Sequence, residues 1–374
     1  MISPAAVVDL LREADDALAR GVDAVLCTVV RLEGSGYGRP GARMLATAEG
    51  RRVGFVSGGC LERELVRLAW PATEHHPATL TFDTRGRPTQ PGGRYNAGCE
   101  GCLHVLCERL TPEAIAPLRP FAEALSGEGN PAGPVTTAVA YASDDPAVSV
   151  GTRQFAETAT TLQPAFRGID RNYSVDVTTA AGEVSVFVET VRPPRRLVLL
   201  GAGDDAQPLA RMASLAGHVV TVLSPKAELL TAERFPEVRR LVGPLRETFA
   251  SLSLDTQTAV VLMTHSFADD AAVLPVALRS PASYVGLLGP KRRLGRLVQD
   301  IAAADAGFDA LDWSRLRSPV GLDLGAVTPE EIAVSILAEI IAIDHGRTGE
   351  SLHERAGAIH EPHRHLPAPA SATA

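Results

Sequence analysis

Cys60 stands in Ser57-Gly58-Gly59-Cys60-Leu61-Glu62, where two glycines lead into a segment, 61–70, whose apolar and charged residues recur at helical spacing. A thiol at a helix start faces backbone amides and the positive end of the helix dipole, which favour thiolate. Cys60 is therefore the first candidate for soft-metal or sulfur chemistry, with Gly58 and Gly59 supplying adaptable backbone beside it. Cys99 and Cys102 add two soft donors in Gly98-Cys99-Glu100-Gly101-Cys102. No second C-x-x-C or paired-histidine spacing accompanies them, and Cys102 opens a strand-like run, which argues against a structural zinc and against a thioredoxin-type site. The carboxylate of Glu100 opposes ionisation of Cys99, so Cys60 ranks first. Arg39 and Arg43 lie among glycines 34, 36, 38 and 41, and basic side chains on flexible backbone suit an anion; Arg43 is assigned that role.

The second half carries a different chemistry. Gly201-Ala202-Gly203-Asp204-Asp205-Ala206 follows an apolar run and opens a helical pattern. Gly201 permits the tight turn, Gly203 lets a pyrophosphate approach the backbone, and Ala206 keeps helix and strand close, so the helix start can face anionic oxygens. The next strand ends in Ser224-Pro225-Lys226 where nicotinamide enzymes place an acid for the ribose, which disfavours NAD. Asp204 and Asp205 likewise oppose a bound pyrophosphate. His265 follows a further apolar strand, where an imidazole can donate to phosphate or move a proton. Gly289, ahead of Lys291-Arg292-Arg293, offers an anion cradle.

Elements to hold these residues follow from periodicity. A helix is expected over the first 20 residues. Strands are expected at 24–32, 44–48, 53–57, 78–84, 102–110, 135–150 and 183–191, the last two returning to the same sheet as the others. Cys27 and Cys107 fall inside apolar strands and read as core. Pro193-Pro194 marks a hinge. Beyond it, strands at 196–200, 219–223, 258–263 and 283–288 alternate with helices at 205–216, 269–278, 291–306 and 329–344. That alternation argues for a parallel sheet wrapped by helices. The chain thus reads as α/β: an N-terminal α/β domain with a mixed sheet over 1–192, a C-terminal Rossmann-type parallel-sheet domain over 193–348, and a flexible tail over 349–374, whose histidines 353, 360, 363 and 365 read as solvated.

Composition bounds the partners. With 44 acidic against 36 basic residues among 374 and a formal charge of −8, the composition disfavours nucleic acid as the main partner, because duplex binding needs clustered cations. Apolar runs are too short or interrupted for a bilayer span, and the acids within the first helix do not suit a secretory leader, so a cytoplasmic location is expected. Five cysteines, an odd and sparse set, suit reduced thiols.

Taken together, these stretches resemble the XdhC/CoxI family of xanthine dehydrogenase accessory factors. The likeness is carried by Gly34-Ser35, Tyr37, Arg39 through Met44, Ser57 through Glu62, Asp83-Thr84-Arg85 and Gly98 through Gly101 in the first half. In the second it is carried by Leu200 through Gly203, Met263-Thr264-His265, Tyr284 through Arg293, Pro319 through Asp323 and Thr328 through Ala333. The resemblance implies an accessory factor rather than a catalyst: a chaperone that binds molybdenum cofactor, as molybdopterin or its cytosine dinucleotide, shields it, supports its sulfuration with a cysteine desulfurase, and delivers it to a molybdenum hydroxylase of the xanthine dehydrogenase type. A homodimer is implied at the same level. On this reading Cys60 contacts molybdenum or its terminal sulfur, Cys99 assists, Arg43 binds an anion, and the turn from Gly201 to Ala206 takes phosphate. The alternatives are an NAD(P)-dependent oxidoreductase using the Rossmann domain and His265, and a nucleotide-sensing scaffold with inert cysteines.

Overall fold

The computed structural model describes residues 4–34, 36, 38–59, 61–85, 101–119, 134–168, 171–304, 307–356, 359 and 364–366. The chain divides into two compact units, 1–193 with 358–374, and 194–357. No described helix is long and apolar enough to cross a membrane.

In the N-terminal unit, helix α1 (Pro4–Arg20) leads into strands β1 (Ala24–Gly34), β2 (Arg43–Thr47) and β3 (Arg52–Gly54). Helix α2 (Glu62–Ala72), strands β4 (Ala78–Asp83) and β5 (Gly101–Arg109) and the short helix α3 (Pro112–Ile115) follow. Val7, Leu10, Leu11, Ala14 and Ala17 form the apolar stripe of α1 and pack on Ala24, Leu26 and Leu45. Leu61, Leu65 and Ala69 pack on the opposite face of the same sheet, with Val25, Cys27 and Val29. Strand alternation explains the split, since neighbouring residues of β1 point to opposite faces. This sheet has the order β3-β2-β1-β5-β4 and is antiparallel throughout.

Strands β6 (Val135–Ser143), β7 (Arg153–Phe155), β8 (Tyr173–Thr178) and β9 (Glu183–Val191) do not join it. They build a second sheet, β16-β8-β9-β6-β7, in which the pairing of β16 (His365–Leu366) is parallel and the rest antiparallel. The expectation of one sheet is thereby corrected. Val139, Tyr141 and Phe187 lie against Val30 and Leu106 of the first sheet, so burial is satisfied face to face rather than by edge pairing.

Two ion pairs, one buried and one part-buried, tie these sheets. Arg43 of β2 donates to both carboxylate oxygens of Glu189 on β9 and, through Nη1, to the carbonyl of Gly41 at 3.0 Å. Arg153 of β7 meets Glu108 of β5 at 2.8 Å. Arg43, expected to bind an external anion, is 3% exposed and has its charge matched inside the protein.

The second unit contains β10 (Arg196–Leu200), α4 (Ala206–Leu215), β11 (Val219–Ser224), β12 (Arg239–Val242) and α5 (Leu245–Ala250). It continues with β13 (Thr258–Leu262), α6 (Phe267–Arg279), β14 (Tyr284–Leu287), α7 (Lys291–Ala304), β15 (Leu316–Arg317) and α8 (Pro329–Asp344). Its sheet, β12-β11-β10-β13-β14-β15, is wholly parallel. Numbered within the unit this is 3-2-1-4-5-6, the order of dinucleotide-binding folds. Leu197 and Leu199 pack towards α4 and α8, whereas Val198 and Leu200 pack towards α5, α6 and α7. Both faces are covered, as a parallel sheet requires. Helix α8 starts where expected, because Thr328 at the N-cap and Glu331 in the first turn form a reciprocal capping box around Pro329.

Strand β16 comes from the segment read as a loose tail. It pairs with Ser174 and Val175, and His365 Nε2 lies 2.7 Å from Asp176 Oδ2, so this histidine is bonded within the fold rather than merely solvated. His360 and His363 lie outside the described residues.

Breaking the Arg43 pair strands a buried charge. Arg43→Met should therefore lower the unfolding free energy by about 3–5 kcal/mol, and adding Glu189→Leu should recover most of it. Urea denaturation followed by tryptophan fluorescence and circular dichroism measures both; a single-variant cost below about 1 kcal/mol would contradict the pairing.

Candidate functional site

The turn that leads into α2 is organised by an acid. Glu62 Oε1 accepts from the amides of Val56 at 3.0 Å and Ser57 at 2.7 Å, and Oε2 accepts from the Ser57 hydroxyl at 2.7 Å and the Gly59 amide at 2.9 Å. Ser57 Oγ in turn accepts from the Leu61 amide at 2.9 Å. Burial alone would raise the Glu62 pKa, but the hydroxyl and amide donors outweigh it and hold the carboxyl below its usual range. Gly58 and Gly59 have φ of 79° and 115°, a region that side chains disfavour, and a Cβ on Gly59 would meet nothing within 4 Å.

Cys60 lies outside the described residues, between Gly59 and Leu61, whose amides are already engaged. Sequence spacing did not disclose this role of Glu62. The only signal was its place directly after the cysteine motif, three residues from Gly59 and five from Ser57.

Cys99, like the rest of 86–100, also lies outside the described residues. Cys102 lies within them, at the start of β5, and Asp83 ends the neighbouring β4, with Thr84 and Arg85 directly after it. Arg85 binds Asp83 through two 2.9 Å bonds and lowers that carboxyl to about 2. The Cys102 thiol is pushed up by burial and by the nearby carboxylates Asp83 and Glu33. Cys27 and Cys107 face one another across β1 and β5 inside the core.

In the second unit, the turns after β10 and β13 meet at the carboxyl ends of adjacent strands, where the strand order reverses. Ligands of open α/β sheets bind at such a point. Gly201 has φ of 117°, and a Cβ there would stand 2.2 Å from the Met263 carbonyl oxygen, so only glycine lets the two turns cross. Ala206 is fully buried, as its packing role requires.

His265 has φ of 56°, costly for a non-glycine residue. Its Nε2 lies 2.9 Å from Asp205 Oδ2, and its ring is 3.5 Å from where a Gly203 Cβ would be. The imidazole thus faces the glycine turn, exposed, with the acid holding Nε2 as the donor. Asp205 Oδ1 is buried and has no hydrogen-bond partner among the described residues. Asp204 is held by Arg234 at 2.9 Å, and the same guanidinium donates to the Ala202 carbonyl at 3.1 Å.

Neighbouring groups set the limits of this site. Ser224 is buried, and its Oγ accepts from the Lys226 amide at 3.1 Å, so β11 ends without an acid for ribose hydroxyls. Gly289, φ 132°, begins the turn after β14. Arg293, expected among the cations of an anion cradle, instead binds buried Asp270 at 2.6 Å, leaving Lys291 and Arg292 exposed. Asp270 also accepts from Thr264 Oγ1 at 2.6 Å. The structure therefore brings Gly201, Gly203, Ala206 and His265 together, with Gly289 one strand further along the same edge. Gly58, Gly59 and Arg43 belong to the other unit.

Residues 17–83 match the XdhC and CoxI family, and residues 197–340 match the XdhC Rossmann domain. The chain is 32% identical to a probable xanthine dehydrogenase subunit from Bacillus subtilis (strain 168), over 85% of this chain and 92% of that protein. It is 27% identical to the molybdenum cofactor insertion chaperone PaoD of Escherichia coli (strain K12), over 89% of this chain and 87% of that protein. Among solved structures it is similar to a xanthine dehydrogenase from Bacillus halodurans, with a TM-score of 0.71 and 27% identity over 91% of this chain and 96% of that one.

The lowered pKa of Glu62 fixes a sign. A carboxyl whose folded pKa is depressed contributes stability that is full above its unfolded value, about 4.3, and is lost as pH falls through the folded value. The stability difference between wild type and Glu62→Gln should be flat from pH 8 to about 5 and shrink below about 4.3. Urea midpoints across that range measure it, and a difference that grows on acidification would contradict the bonding of Glu62.

Proposed function

The chain belongs to the XdhC and CoxI family, and from that premise we propose that it is a cytoplasmic chaperone that binds molybdenum cofactor and passes it to a molybdenum hydroxylase of the xanthine dehydrogenase type. The observation that carries the reading is the likeness, over 89% of this chain, to a molybdenum cofactor insertion chaperone, which spans both units. Sulfuration of the cofactor with a cysteine desulfurase, and a homodimeric carrier, complete the proposal.

The chemistry divides between the units. In the N-terminal unit Cys60 contacts molybdenum or its terminal sulfur, with Cys99 in support, because a soft centre prefers thiolate. A Cβ on Gly59 would meet nothing within 4 Å, and the bonds of Glu62 to the Ser57 and Gly59 amides fix the turn that precedes the cysteine in sequence. In the Rossmann unit the turn from Gly201 to Ala206 takes a phosphate or the diphosphate of a cytosine dinucleotide at the start of α4. His265 faces the same turn with its Nε2 held by Asp205, and Gly289 offers backbone on the same edge. Asp204 and Asp205 would repel the anion if bare. The guanidinium of Arg234 and the ring of His265 stand against them, which reduces that repulsion.

The strand order also suits a second reading, an NAD(P)-dependent oxidoreductase. Buried Ser224 in the place of a ribose-binding acid counts against NAD.

Cys60→Ser tests the proposal. The variant, folded as judged by circular dichroism, should retain at least about tenfold less molybdenum and pterin after anaerobic gel filtration, and should activate a cofactor-free hydroxylase correspondingly less, since an outright ligand loss exceeds the 10–100-fold effect of outer-shell changes. Normal retention and transfer would overturn the assignment of Cys60, and turnover of NADH or NADPH would favour the oxidoreductase.

A further inference from the structure

The first sheet carries a polar cluster that the cofactor reading does not use. Cys102 and His104 alternate onto one face of β5. The register sets Glu33 of β1 opposite Cys102 and Thr81 of β4 opposite His104, so side chains distant in sequence share that face. His104 Nε2 lies 3.9 Å from Cys102 Sγ and 3.6 Å from Glu33 Oε1, and the three donor atoms all lie within 4.8 Å of one another.

We propose that Glu33, Cys102 and His104 form a site for a thiophilic divalent cation of the zinc class. A tetrahedral zinc with Zn–S of about 2.3 Å and Zn–N and Zn–O of about 2.0–2.2 Å sets its ligand atoms roughly 3.3–3.6 Å apart. The sulfur–nitrogen and nitrogen–oxygen separations exceed that by only a few tenths of an ångström. Thiolate, imidazole and carboxylate are the donor types that zinc takes.

The surroundings fit a ligand set. Thr81 Oγ1 lies 3.3 Å from His104 Nδ1, so with Nε2 turned to a metal the Nδ1–H donates to the hydroxyl, the outer contact that metal-binding imidazoles usually make. Arg31 Nη2 is 2.8 Å from Glu33 Oε1 and must move to the other carboxylate oxygen when the cation enters. Cys102 releases its proton to solvent in the same step. Three protein ligands leave the fourth position to water, and half-buried Glu33 and His104 give access, so the cation is exchangeable.

The proposal is independent of molybdenum cofactor and is tested with the bare cation. The full chain, reduced and stripped with a chelator, is titrated with cobalt(II) chloride. One equivalent should produce a thiolate-to-cobalt charge-transfer band in the near ultraviolet, abolished by added zinc. Cys102→Ser should remove the band, and Glu33→Gln and His104→Gln should each weaken cobalt binding at least tenfold while circular dichroism is unchanged. Cys60→Ser should leave the band intact. No band in the wild type, a band that survives in Cys102→Ser, full affinity in folded Glu33→Gln and His104→Gln, or loss of the band in Cys60→Ser would each overturn the site.

Discussion

A carboxylate withdrawn from water stays charged only where donors replace its hydration. In this protein that requirement fixes the turns on which its chemistry rests. Glu62 gathers the amides and hydroxyl of the 56–59 turn. Glu189 holds Arg43, which in turn holds the Gly41 carbonyl. Asp270 holds Thr264 and Arg293 on either side of the β13 edge, and Asp205 holds His265. Glu339 accepts from Tyr284 and from the Gly321 amide, fixing the far side of the same unit. Each acid accepts from donors packed against it, near or far in sequence, so the adjoining loop has little freedom to rearrange.

Such pairing changes what the basic residues do. Arg43 and Arg293 have the residue type and glycine neighbours of anion-binding sites, yet both are committed to internal acids. The partner of Arg43 lies 146 positions away, and no local pattern announces it. The Rossmann unit is legible for the opposite reason. Its strands are buried on both faces and read as continuous apolar runs, its glycines obey a turn whose geometry is local, and α8 carries its own capping box. Strands β12 and β15 escaped because they are short and β12 is largely exposed, leaving little hydrophobic signal.

The N-terminal unit was half legible. Helix α1, β1 and α2 follow from spacing, but apolar alternation in β6 and β9 says only that one face is covered, not which sheet provides the neighbours. The Glu33, Cys102 and His104 cluster was hidden in the same way. A search for linear metal motifs sees the cysteine and not its cross-strand companions, whose meeting depends on register. Asp205 illustrates the reverse error: read as a charge opposing phosphate, it also positions an imidazole at the turn.

The central claim is that this chain takes up molybdenum cofactor. The direct measurement is to offer the purified full chain freshly released cofactor under anaerobic conditions, pass it over a desalting column, and assay molybdenum and pterin in the protein fraction. Co-elution of both in a fixed ratio to protein is the expected result, and elution of the protein free of both, at cofactor concentrations that load a known carrier, would contradict it.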